Sequence, residues 1–239
     1  AEAYKELRTA LLLTTAGHPP RAVAISSCQP GEGKTTTALN LATSLGQLGR
    51  RVLLVDTDLR RPRCHKILKV ATNRGVSSYL TGMHRVAELV QPTRIDGVSV
   101  ISAGPVPPNP AELLDSARFA EFVRELREHP EFDHVIFDTP PVLSVVDPLL
   151  IGRQVEGLVL VLRSAFTSRE AAQLAWQKLD TGRVKVYGTL LNDVQTEHVP
   201  YEYRYYRYGY SEQTKTRGRK RPAASEPSRG SRVARSGKA

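Results

Sequence analysis

A strand that runs straight into a glycine-rich turn and then into a helix limits this chain more than any other feature. Residues 21–27 form a short apolar run that reads as a strand buried on both faces. The chain continues Cys28-Gln29-Pro30-Gly31-Glu32-Gly33-Lys34-Thr35-Thr36, and residues 34–49 are patterned as a helix. Gly31 and Gly33 let backbone N–H groups come close to an anion, and the helix start adds the positive end of its dipole. Gly33-Lys34-Thr35 matches the end of the phosphate-loop pattern, Gly-x4-Gly-Lys-Ser/Thr, while Cys28 stands where that pattern begins with glycine. The residues set against a nucleotide's phosphates would be Pro30, Gly31, Glu32, Gly33, Lys34, Thr35 and Thr36. Lys34 would reach the β- and γ-phosphates of ATP, and Thr35 would ligate Mg²⁺. The bland alternative is a glycine-rich turn before an ordinary helix; strand, loop, helix and Gly-Lys-Thr together argue against it.

Strands and helices alternate along the rest of residues 1–200. Strands are expected at residues 51–55, 98–102, 134–137, 158–163 and 184–191. Helices are expected at 2–14, 110–128, 147–153 and 168–179, with short helical pieces near Lys66 and at 75–80. The pattern predicts an α/β P-loop NTPase fold, a mostly parallel central sheet with helices on both faces. Such sheets bind ligands beyond the carboxyl ends of their strands. Two acidic motifs fall there: Leu53-Leu54-Val55-Asp56-Thr57-Asp58-Leu59-Arg60 and Val135-Ile136-Phe137-Asp138-Thr139-Pro140-Pro141. Taken singly, each acid could be a helix cap or a loop residue. Beside a phosphate loop, Asp56, Asp58 and Asp138 become candidates to hold or orient Mg²⁺ in phosphoryl transfer.

The net charge of +10 suggests nucleic acid until its distribution is read. Nine Lys/Arg against two acids lie in residues 211–239, which leaves about +2 for residues 1–200. Cys28 and Cys64 make neither a disulfide framework nor a zinc motif, which fits a reducing compartment. Cys28 lies inside the loop, where oxidation would matter, although nothing around it marks a lowered pKa. No apolar run is long enough to span a bilayer and no signal peptide is visible. The chain opens at Ala1, already in a helical pattern, which suggests a piece of something longer. Trp176, at helical spacing with Leu179, is expected in the core, and His65 and His134 read as structural.

The set Gly31-Glu32-Gly33-Lys34-Thr35, Leu54-Val55-Asp56-Thr57-Asp58-Leu59-Arg60 and Ile136-Phe137-Asp138-Thr139-Pro140-Pro141 resembles the bacterial protein-tyrosine kinases. These are P-loop enzymes of capsule and exopolysaccharide assembly, unrelated in fold to eukaryotic kinases. The resemblance implies Walker A, A′ and B motifs, with Lys34, Asp56, Asp58 and Asp138 as catalytic residues and Thr35, Asp56 and Asp138 around the metal. It makes Asp58 the better candidate to help activate a tyrosine hydroxyl. Glu2-Ala3-Tyr4-Lys5-Glu6-Leu7-Arg8 resembles the family's Glu-x-x-Arg-x-x-Arg helix, which implies that Glu2, Lys5 and Arg8 build a ring of subunits. Lys5 departs from the arginine and lacks its planar fork. Residues 75–82 and 107–114 also match the family.

Six of the nine tyrosines, Tyr201, Tyr203, Tyr205, Tyr206, Tyr208 and Tyr210, lie within ten residues. An aromatic strand edge, a stacking surface for nucleic acid or a sticky tail could each use such a run. After a kinase-like domain, phosphoacceptors explain it better, and the run resembles the family's terminal cluster. Three segments result: a P-loop kinase domain with its oligomerisation helix in residues 1–200, the tyrosine cluster in 201–210, and a basic disordered tail in 211–239. Each phosphate would add about −1.5 to −2 charge, enough to repel docked tails and loosen a ring. The resemblance further implies a transmembrane activator or chain-length regulator, separate or fused upstream, other phosphoprotein substrates, and a place at the cytoplasmic face of the plasma membrane. Nucleic acid has no specific support. The main rival is the division-site and chromosome-partition ATPases, whose loop carries an early lysine where this chain has Gln29. A second is a non-catalytic ATP-sensing regulator.

Overall fold

The computed structural model describes residues 2–14 and 19–195. Seven strands form one sheet: β1 (Ala22–Ser27), β2 (Val52–Asp56), β3 (Gln91–Pro92), β4 (Val98–Ile101), β5 (His134–Asp138), β6 (Gly157–Arg163) and β7 (Val186–Asn192). Their order is β3-β4-β2-β5-β1-β6-β7, and every pair is parallel except β3 with β4. The helices are α1 (Glu2–Leu13), α2 (Lys34–Gly46), α3 (Cys64–Leu68), α4 (Val76–Leu80), α5 (Pro110–Leu114), α6 (Ala117–Glu128), α7 (Asp147–Gly152) and α8 (Arg169–Thr181). No described helix is long and apolar enough to cross a membrane.

Alternate residues of one strand enter opposite cores. Ala22, Ala24, Leu53 and Val55 pack with Phe119, Phe122 and Leu179, while Val23, Ile25, Val52 and Leu54 pack with Leu11, Leu41 and Leu45. This is the period of two read through a sheet covered on both sides, and it explains why β1, β2 and β5 are buried throughout. The register then positions the chemistry. Asp56 and Asp138 are paired neighbours at the carboxyl ends of β2 and β5, and β1 beside them runs into the glycine-rich loop.

Two expectations need correction, and one strand had no expectation attached. The helix expected over residues 110–128 is two helices, because Ser116 takes an extended conformation and its hydroxyl caps α6 by accepting from the Phe119 N–H. The antiparallel β3 was not foreseen; two residues are too short to show a period. Trp176 is 50% exposed, not in the core. The buried stripe of α8 is Ala175 and Leu179, at i and i+4, and Trp176 is turned one position away from it.

Candidate active site

Gly31 and Gly33 both take left-handed backbone conformations, with φ of 88° and 97°, and Gly33 caps the N-terminus of α2. The loop is braced by the ends of β6 and β7. Glu32 is fully buried: its carboxylate accepts from the Gln29 N–H at 2.8 Å and from the Thr167 hydroxyl. Asn192, at the end of β7, donates its amide to the Glu32 carbonyl at 3.0 Å. The Glu32 side chain is therefore a strut of the loop, and, unlike its neighbours in the expected phosphate-binding set, Glu32 does not line the cavity. Pro30, Gly31, Gly33, Lys34, Thr35 and Thr36 line a cavity of about 550 Å³ that Asp58 and Arg60 close from the other side.

Lys34, Thr35, Asp58 and Asp138 meet at the mouth of the sheet. The Lys34 ammonium lies 3.1 Å from Asp58 Oδ2 and 3.8 Å from Asp138 Oδ1. The Thr35 hydroxyl donates to Asp138 Oδ2 at 2.7 Å. Asp56 sits deeper, and its Oδ2 accepts the backbone N–H groups of Arg63 and Cys64 at 3.1 and 3.0 Å, which folds the loop after β2 back over the site. Among the described residues, Lys34 is the one basic side chain in salt-bridge range of Asp58 and Asp138. Burial first, then the neighbouring Asp138, pushes the Asp56 carboxyl up to about 7. Burial likewise raises Asp138, against the pull of Lys34 and Thr35. Burial would lower Lys34, but Asp138 and Asp58 outweigh it and hold the ammonium above its ordinary value.

Mg²⁺ fits this donor set. Asp138 Oδ1 is a buried carboxylate oxygen with no hydrogen-bond donor, and the excess of carboxylates over ammonium is what a divalent cation neutralises.

Sequence reasoning missed several supports. Asp147, fully buried in the first turn of α7, accepts two hydrogen bonds from Arg60, at 2.8 and 3.0 Å, and so fixes that guanidinium at the cavity edge. Thr167, Asn192 and Arg163, which donates to the Gly31 carbonyl at 3.4 Å, come from the far end of the chain and carried no motif. Burial, aided by Glu32, pushes the buried Cys28 thiol up to about 12, away from thiolate character.

The ring candidates are elsewhere. Glu2 and Lys5 pair with each other at 3.1 Å on an exposed face, and Arg8 donates to the Ser44 carbonyl and hydroxyl, tying α1 to α2 of the same chain. Tyr201, Tyr203, Tyr205, Tyr206, Tyr208 and Tyr210 lie outside the described residues.

An AAA-domain family model matches residues 20–153, which contain the whole carboxylate and phosphate-loop cluster. The chain is 38% identical over 204 residues to tyrosine-protein kinase YwqD of Bacillus subtilis, covering 85% of each protein. The chain belongs to the bacterial tyrosine-protein kinase family. It is also 36% identical to tyrosine-protein kinase ptk of Acinetobacter johnsonii, but spans 27% of that protein's length. The kinase domain of Escherichia coli tyrosine kinase ETK superposes with a TM-score of 0.79 at 34% identity, over 83% of this chain and 77% of that one. The septum site-determining protein MinD of Pyrococcus horikoshii, solved with Mg-ADP, superposes at 0.63 and 23% identity over 77% and 76% of the two chains, which shows a shared fold alone. This kinase-family chain therefore carries its candidate site on a sheet of the same fold as that protein's.

Proposed function

We propose that this domain transfers the γ-phosphoryl group of ATP to tyrosine hydroxyls, those of its own residues 201–210 among them. The reading is supported above all by the convergence of Lys34, Thr35, Asp58 and Asp138 on one cavity in a chain of the tyrosine-kinase family. The loop from Pro30 to Thr36 binds the phosphates through its backbone N–H groups and the start of α2. Lys34 exchanges Asp58 for the β- and γ-phosphates, with its charge already secured by the acids around it. Thr35, Asp56 and Asp138 hold Mg²⁺ directly or through its waters. When bound, that ion neutralises charge on the transferring phosphoryl group. Asp58, once released by Lys34, accepts the proton of the incoming tyrosine hydroxyl. Arg60, fixed by Asp147, borders the same cavity and adds positive charge facing the phosphoryl group.

The kinase regulates capsular or exopolysaccharide biosynthesis and export, works beside a membrane-embedded activator at the cytoplasmic face, and assembles through α1 into a ring that phosphorylated tails loosen. Gln29, in place of an early loop lysine, speaks against the switch-ATPase alternative.

The deciding experiment incubates the purified chain with Mg-ATP, with and without a fused activator segment, beside Lys34→Met. Phosphotyrosine is read by intact mass and peptide mapping. Multiple phosphates on residues 201–210, absent in Lys34→Met, are expected. ADP release with no phosphotyrosine in either condition would transfer the chain to the switch-ATPase class. A variant with all six tyrosines changed to Phe that assembles and disassembles with ATP as the wild type does would remove the tail from the ring model.

A further inference from the structure

Cys64 opens α3 behind the nucleotide cavity, and nothing in the proposed kinase chemistry uses it. Its sulfur lies 3.6 Å from Asp138 Oδ2. The Cys64 Sγ and one carboxylate oxygen each of Asp56 and Asp138 all lie within 4.8 Å of one another, and all three residues are buried. The second carboxylate oxygen of Asp138 is itself wholly buried and lacks a hydrogen-bond donor; the Lys34 ammonium stands 3.8 Å from it. A sulfur and two carboxylates, one of which carries the unpartnered buried oxygen, make up a cluster with a soft ligand in it. Mg²⁺ is a hard ion that takes oxygen ligands and has no use for the thiol. Zinc takes thiolate and carboxylate together in four-coordinate geometry, and thiolate selects for it over magnesium.

We propose that Asp56, Cys64 and Asp138 bind Zn²⁺ in competition with Mg²⁺, and that zinc loading switches phosphoryl transfer off. The inference rests on the reading of the cavity as a Mg-nucleotide site and adds its regulation. Binding forms a Zn–S bond as the Cys64 S–H bond breaks, and the proton leaves to solvent, so no oxidant or reductant is needed. The fourth position stays open to water or a phosphate oxygen. Zinc held this way occupies the two carboxylates that would orient Mg²⁺, and their charge is no longer free for the ion that accompanies ATP. Thr35, which donates to Asp138, and Arg63, whose backbone N–H donates to Asp56, both line the cavity beside the buried cluster.

The test uses the whole chain and two probes, Zn²⁺ and Co²⁺. A thiolate-to-cobalt charge-transfer band that Zn²⁺ abolishes is expected for the wild type and not for Cys64→Ser or Cys64→Ala. Zinc affinity should fall by at least the roughly 10- to 100-fold that loss of even an outer-shell partner costs, in both variants. At fixed Mg-ATP, zinc should suppress wild-type phosphotyrosine formation at concentrations that the Cys64→Ser protein tolerates. Equal zinc affinity in wild type and variants, or a cobalt complex without the sulfur band, would overturn the proposal. Mg-nucleotide binding measured without zinc addresses the underlying reading separately: its absence in the wild type would sink the nucleotide site, while the cobalt spectrum would still decide the metal site.

Discussion

Lys34 of the phosphate loop is held 3.1 Å from Asp58, a residue of a different strand end and the acid proposed to receive the tyrosine proton. One ammonium thus masks the proposed base until phosphates draw it away. Replacing Asp58 by Asn removes the proton acceptor and frees Lys34. The expected outcome is a loss of phosphotyrosine formation of roughly 10²- to 10⁴-fold. Nucleotide affinity, measured by calorimetry with Mg-ADP, should hold or tighten. Wild-type transfer rates in Asp58→Asn would assign the base elsewhere.

Gly31 and Gly33 look alike in sequence but should differ on mutation. Both have positive φ, so alanine at either site costs about 1 kcal/mol or more in backbone strain. Gly31 has open space around an added Cβ, whereas at Gly33 the new atom would overlap the Asn192 amide that braces the loop. Gly33→Ala should therefore lose more stability than Gly31→Ala, whose effect should fall mainly on nucleotide binding because Gly31 lines the cavity. Urea denaturation together with nucleotide titration compares them.

Asp147 earns its burial by pairing with Arg60. Asp147→Ala would leave a guanidinium without its carboxylate and α7 without an acid at its start. Because Arg60 is partly exposed, the cost should be about 1–3 kcal/mol, below that of a fully buried broken pair. Urea denaturation of the variant gives the stability loss, and catalytic assays should show weaker transfer even where nucleotide still binds.

His134 begins β5 with its ring buried and Nδ1 3.1 Å from the Pro20 carbonyl. Burial lowers its pKa below the ordinary 6.5, so the unfolded chain takes up this proton more readily than the folded one. Its contribution to stability is therefore present above pH 6.5 and is lost as pH falls below that value. The stability of His134→Gln should decline less steeply than that of the wild type across this acidic window. Parallel slopes in denaturation at a series of pH values would show that the histidine does not titrate differently on folding.

Much of the site was legible because its residues are carried on local signals. The strand-loop-helix at 21–36 and the acids after two apolar strands need no tertiary knowledge, since strand ends and helix starts are set by nearest neighbours in sequence. The role of Glu32 was not legible. A carboxylate inside a phosphate loop reads as ligand-facing until Thr167 is seen beside it, and those two residues are brought together only by β1 and β6 being neighbours. Trp176 shows the limit of periodicity, for positions 175 and 176 of a helix both share a spacing with Leu179, and only packing against the sheet selects Ala175.

By itself the sequence determined the alternating α/β order, the phosphate loop and the identity of the three acids, because periodicity, glycine freedom and turn chemistry act within a few residues. Only the tertiary structure decided that Asp56 and Asp138 stand side by side, that Lys34 rests on Asp58, that Asp147 holds Arg60, and that Cys64 joins the carboxylates. Those relations depend on strand order and on loops folding back over the sheet. Both are set by burying two cores at once, a global condition that no short stretch of sequence carries.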